Sequence, residues 1–261
     1  MSAVELSREV VEGLQLFARY AYPPNARGYC GPADHQQLYE YAVNGTTDPG
    51  LVDLARAFTG PWPYLTLLAG AAGVDSPFHR RVVEAYWVGN ELLDRVSTAD
   101  FGRTMEDRFR PQAGHGWSFL AEGVPEGSVC HHSFHVFGVD PWLGHLRQSD
   151  RGEPLEILDR CRIRWGQVAS ATGDRVVVES RPLTWDGTRL EIGAKHTETA
   201  RRSVGGVLDT LEPGDWVSLH WDWVCDRLTR TQLSNLQRYT RWQLAISNNR
   251  VAHSGPGMAM S

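Results

Sequence analysis

Lysine is almost missing from this chain. Lys195 is the only one in 261 residues, so nearly all positive charge is arginine, a bias that reads as genomic base composition more readily than as function. Cysteine is scarce too. Cys30, Cys130, Cys161 and Cys225 are far apart and form no CxxC pair, which excludes a disulfide scaffold. No apolar run approaches the ~18 residues of a membrane span, and the N-terminus has no signal-like apolar core. These absences predict a soluble, cytoplasmic protein with reduced thiols and no membrane partner. There is no GxGxxG, P-loop, GxSxG or HExxH, which argues against a nucleotide cofactor and standard hydrolytic chemistry. The net charge of −5 gives no electrostatic footprint for nucleic acid.

What is present divides near the middle. Ser2 with Glu5 fits a capping box, and Val10, Val11, Leu14, Phe17 and Ala18 follow at helical spacing to about Tyr20. Pro and Gly mark residues 22–32 as a loop. Helices are predicted over 33–43, from Asp48-Pro49 to about Phe58, and over 62–72, 77–96 and 99–109. The helix over 77–96 carries Asn90 inside its apolar stripe, read as a hydrogen-bonded core polar group. Gly, Pro and His become frequent over 111–154, and the charged stretch 147–154 marks a boundary.

Beyond it the period changes to two. Residues 161–168 (CRIRWGQV) put Cys161, Ile163 and Trp165 on one side, with Arg162 and Arg164 on the other. Residues 174–180 are β-branched, and 184–193 form a hairpin about Asp186-Gly187. Residues 214–228 (GDWVSLHWDWVCDRL) read as a strand, 229–246 as a helix and the remainder as a frayed tail. The expected fold class is α+β: an α-helical domain (1–112), a His-rich connecting segment (113–154), a small OB-like β-barrel with a C-terminal helix (155–247) and a flexible tail (248–261).

Two motifs in the second half carry a resemblance. In CRIRWGQV, Cys161, Ile163, Gly166, Gln167 and Val168 match the opening motif of the HypC/HupF-type chaperones of NiFe-hydrogenase maturation. Gly214, Asp215, Trp216, Val217, Leu219 and His220 match that family's second motif. The resemblance covers about residues 158–244. It implies an OB-like barrel and delivery of an iron fragment, with cyanide and carbonyl ligands, to the hydrogenase large-subunit precursor alongside other maturation proteins. By position, Cys161 would be the thiolate ligand and His220 its neighbour. Cys161 is internal, where the family's cysteine follows the initiator Met, and Trp165 replaces a Pro. The whole chain also resembles an uncharacterised actinobacterial family associated with hydrogenase gene clusters.

On a strand, Trp216, Ser218, His220 and Asp222 would share one face, with Val217, Leu219, Trp221 and Trp223 on the other. Asp222 is then expected to hold one ring nitrogen of His220 in a polar groove. A soft thiolate at Cys161 suits low-valent iron. The bland alternative is a half-exposed edge-strand histidine with a buried cysteine.

A second constellation, CHHSFHVFGVDPWLGH, gathers Cys130, His131, His132, His135 and His145. Close His and Cys spacing suits Zn, Ni or Fe, and His132 and His135 at i, i+3 share a helical face. The alternative is a polar interdomain seam whose histidines bond to backbone. Cys30, in GYCGPADH, lies in a loop that reads first as a plain helix-entry turn, with approach to a ligand or partner as the functional alternative, while Asp34 reads as a helix cap. Trp165 and Asp222 are further expected partner contacts. The leading expectation is a non-enzymatic maturation chaperone. Its rivals are a metalloenzyme using the histidine cluster and an interaction scaffold that uses its Trp residues to dock.

Overall fold

Helix α1 (Arg8–Asn25) organises the first half. Ser7 caps it through the Val10 N–H, and Leu14, Phe17, Tyr20 and Ala21 are buried. In the computed structural model that defines the molecule, residues 6–113, 127–139, 142–148, 152–204 and 208–253 are described. The expected capping box at Ser2 and Glu5 lies outside them. Helix α1 does not stop near Tyr20 but runs on through Pro23 and Pro24. The terminal carbonyls find other donors. Ala26 N bonds Tyr22 O at 2.8 Å, Tyr29 N bonds Pro24 O at 3.0 Å, and Arg27 Nη1 donates to Pro23 O at 2.9 Å.

Helices α2 (His35–Asn44) and α3 (Pro49–Arg56) start as expected. Asp34 accepts from Gln37 N, and Asp48 from Gly50 N and Leu51 N. Helix α4 (Pro61–Ala72) and α5 (Arg80–Trp87) follow. The single helix expected over 77–96 is broken. Gly89 takes φ 97°, and a Cβ there would lie 2.2 Å from the Tyr239 ring. Asn90 then caps a 3-10 turn (Glu91–Arg95), accepting from Leu92 N and donating to Arg81 O. It is a hydrogen-bonded buried polar group, as read. Helix α6 (Thr98–Ala113) ends this half.

A one-turn helix (His132–Phe134) runs into a π-helical turn (His135–Val139). Helices α7 (Trp142–Gln148) and α8 (Glu153–Cys161) come next. Among the described residues seven strands follow: β1 (Arg164–Thr172), β2 (Arg175–Ser180), β3 (Leu183–Trp185), β4 (Leu190–Ile192), β5 (His196–Arg201), β6 (Trp216–His220) and β7 (Trp223–Arg227). Strands β1-β2-β5-β7-β6 close into a barrel, and β3-β4 form a separate hairpin. Asp186 turns that hairpin by accepting from Thr188 N and Arg189 N. Strand β5 was not foreseen, because only one residue of HTETAR is buried.

Val168, Val176, Val178, Ala200, Val217, Leu219 and Val224 form a buried cluster drawn from all five barrel strands. Alternate residues face the other way. Ile163, Trp165, Trp223 and Cys225 join the large core that α1 to α6 build. Helix α9 (Arg230–His253) packs Leu236 and Tyr239 into that core and grips β4 through Asn248 to Leu190 N and O, both at 2.9 Å. It runs seven residues past the expected end at 246. Asn248 is anchored, so this part of the tail is helical. Among the described residues no helix is long and apolar enough to cross a membrane.

Candidate functional site

The site forms where the barrel meets the helical layer. Strand β1 pairs with β6 in a register of Arg164 against Leu219. The residues just before Arg164 therefore lie beside His220 and the turn that follows it. The backbone closes this corner: Trp221 N donates to Arg160 O at 2.8 Å, and the Arg164 guanidinium donates to Trp221 O.

The strand expected over 214–228 is two strands. His220 pairs with Trp223, and Trp221 and Asp222 form the turn between them. Trp221 is the one non-glycine at positive φ (56°) among the described residues. The alternation along β6 holds: Val217 and Leu219 pack in the barrel cluster, Ser218 and His220 opposite. The polar face does not open on a groove. Helix α1 covers it, leaving His220 1% exposed. His220 Nδ1 donates to Tyr20 O at 2.7 Å, and the Tyr20 hydroxyl pairs with Ser218 Oγ at 2.7 Å. Asp222 does not hold His220. Chain reversal at Trp221 turns it away, and it pairs with Arg27 instead.

Cys161 ends α8 rather than opening a strand, and is 7% exposed. Arg162 and Arg164 are not a solvated face. Both are buried, Arg162 on Asp159 and Arg164 on Glu198, which also accepts from Arg160 and Ser180. Burial opposes the Glu198 charge, yet these partners hold its carboxyl below the usual range. Trp165 is in the core beneath Arg162, so it is no surface contact.

The second constellation converges on the same corner. His132 Nε2 donates to Cys161 O at 3.0 Å, and its Nδ1 lies 3.2 Å from the Tyr86 hydroxyl. A carbonyl only accepts, so the proton is on Nε2 and Tyr86 donates to Nδ1. His132 lies tilted against Trp87 (4.5 Å between centroids, 55° between planes), with His220 at 5.4 Å and His135 at 6.2 Å. His135 Nδ1 meets the Tyr64 hydroxyl at 3.3 Å. Burial pushes His220 and His131 down to about 3; it also lowers His132, helped by the charges of His220 and His135. All three are neutral at pH 7.

Other members stand apart. His131 turns onto Ser133 Oγ at 2.8 Å and stacks on Tyr239. Cys130 points at Tyr64 O at 3.6 Å, and burial raises its pKa well above the usual thiol value. His145 is exposed on α7 beside Trp142. Cys30 is half-buried, and Asn25 holds its carbonyl and that of Pro32. None of the four cysteines is in a disulfide. Among the described residues, no three His, Cys, Asp or Glu side chains form a group that would hold a metal ion. The arrangement offers no ready chelate, since both His132 nitrogens are engaged.

Comparison with known families gives one answer. The chain matches a "Family of unknown function (DUF6390)" over residues 9–254. It belongs to that family. No curated protein and no solved structure matches the chain.

Tyr20, Tyr86 and Trp87 complete the site, and the sequence pattern marks none of them as more than a core or helix residue. Their signal was faint: Tyr86 and Trp87 sit on an apolar stripe and look like packing. Arg27 and Tyr29, between the prolines and Gly31, had a clearer one, since polar and aromatic side chains in a glycine-bounded loop tend to carry contacts.

Proposed function

We propose that this member of the family is an accessory protein of NiFe-hydrogenase maturation, presenting an iron fragment through Cys161 or docking the large-subunit precursor. The observation that carries the reading is the closeness of Cys161 to His220 at one corner of a five-strand barrel. Trp221 N on Arg160 O and His132 on Cys161 O bring together two motif residues 59 positions apart in sequence. The strand order supports an OB-like barrel. Counted along the chain, the barrel strands run one-two-three-five-four, with the third and fifth parallel, a Greek-key arrangement.

The chemistry fits a cargo better than a resident ion. A low-valent iron fragment that brings its own cyanide and carbonyl ligands needs one soft thiolate and no protein chelate. Cys161 supplies the sulfur. Neutral His220 and His132 add no positive charge beside it, and reduced thiols suit the cytoplasm.

The test is anaerobic purification of tagged protein from the native host, with infrared spectroscopy of the eluate. Cyanide and carbonyl bands with a co-purifying large-subunit precursor are expected, and Cys161→Ala should remove the bands without unfolding the protein. A band-free eluate with no hydrogenase component would sink the proposal, as would unchanged bands on Cys161→Ala.

A further inference from the structure

Cys161 is covered, and the cover has a definite construction. Helix α1 leaves through a strap at residues 26–31. Tyr29, 43% exposed, stacks on Trp221 with centroids 4.7 Å apart at 27°, and meets Trp142 edge-on at 6.3 Å. Arg27 lies over the Trp221 ring at 5.1 Å and pairs with Asp222. Cys161 belongs to the same apolar cluster as Trp221. Tyr29 therefore reaches the cysteine's cluster through the Trp221 ring on which it stacks.

Trp221 transmits the strap to the cysteine. Its N–H is on Arg160 O, one residue before Cys161, and its carbonyl is on Arg164, three after. Its left-handed backbone is costly for a side chain of this size and persists only while surrounding contacts over-determine it. Strap and turn therefore hold each other. Removing the Tyr29 ring or the Arg27 charge lets Trp221 relax and loosens the Arg160 to Arg164 segment. On the strap side, Gly28 takes φ 74°, a left-handed conformation that favours glycine, and so lets the chain turn just before Tyr29.

We infer that the strap at residues 26–31 is a latch on the Trp221 turn, and that its release exposes the Cys161 thiol. Use of that thiol for an iron cargo rests on the proposal above; the latch itself does not.

The experiment needs only the purified full-length protein. Iodoacetamide is added under native conditions, and the alkylation rate at each cysteine is read by peptide mass spectrometry. Tyr29→Ala and Arg27→Ala are each expected to speed Cys161 at least tenfold, leaving buried Cys130 and Cys225 at the wild-type rate. Tyr29→Phe, which keeps the stacking ring, should react like wild type. An unchanged Cys161 rate in both alanine variants overturns the latch. So does a parallel rise at all three buried thiols, since that is general loosening. Either result leaves the hydrogenase proposal to its own infrared test, and a failed infrared test leaves the latch standing.

Discussion

His220 Nδ1 is bonded to the carbonyl oxygen of Tyr20 at 2.7 Å, and the Tyr20 hydroxyl is bonded to Ser218 Oγ at the same distance. One residue of the first helix thus binds Ser218 and His220, two positions on the same face of strand β6. Ser218 Oγ is also 3.3 Å from Asp226 O, so a short chain runs from the Tyr20 hydroxyl through Ser218 to the backbone of β7.

Breaking that chain should cost stability in proportion to what is left unpaired. Tyr20→Phe removes one donor and is expected to cost about 1 kcal/mol, while Ser218→Ala strands the buried Tyr20 hydroxyl and should cost about 1–3 kcal/mol. The double variant should be no worse than Ser218→Ala alone, because the stranded group is gone. Urea denaturation of the three variants checks this; strictly additive costs would refute the coupling.

Acid should unfold the protein early. His131, His132 and His220 are held neutral by burial, with His131 and His220 at about 3, whereas the unfolded chain takes up protons near pH 6.5. The unfolded state binds more protons between those values. Stability is therefore full above about pH 6.5 and falls as pH drops toward 3, by up to about 1.4 kcal/mol per pH unit for each imidazole. Chemical denaturation at pH 7, 6 and 5 reads the slope, and His220→Asn should reduce it by about a third. A flat profile across this window would contradict the neutral, buried assignment.

Glu198→Gln should be severe. Arg164 is 1% exposed and depends on this carboxylate, so the variant leaves a buried cation without its counter-charge, a change that costs about 3–5 kcal/mol. Lys195→Ala, which breaks the exposed pair with Glu179, should cost less than about 1 kcal/mol. Midpoints of thermal unfolding for the two variants should separate clearly.

Two glycine-to-alanine changes should act in opposite directions. A Cβ on Gly13 would lie 1.9 Å from the Phe78 carbonyl oxygen, so α1 would have to move off the start of α5. Gly13→Ala is expected to destabilise by more than about 3 kcal/mol, through overpacking against backbone that cannot yield. Gly70 in α4 has nothing within 4 Å, and Gly70→Ala should stabilise by about 0.5–1 kcal/mol through helix propensity. Circular dichroism melts distinguish them.

Caps, periodicity and turn chemistry were legible in the sequence. Asp34, Asp48 and the Asp186-Gly187 hairpin are local devices, and each acts as its residue type suggests. So did the alternation of Val217, Ser218, Leu219 and His220. What covers a face is not local. Nothing near His220 indicates that Tyr20 lies over it, and nothing near Trp165 indicates that the helical core buries it. The break at Gly89 depends on Tyr239, 150 positions on. The turn at Trp221 defied reading for another reason: tertiary contacts hold a residue there that turn propensities disfavour. The two Cys-His constellations were seen separately; their meeting at the Cys161 carbonyl depends on the barrel register.

The bond between Tyr20 and His220 spans 200 positions of chain. At about 5–20 residues per second of translation, α1 emerges about 10–40 seconds before β6 is made. During that interval the seam side of α1 has no strand to lie against. The helical layer must wait as a half-built wall with Tyr20 at its edge, and a holdase acting on the nascent chain would find its footing there. The barrel, arriving last, releases that footing by taking its place.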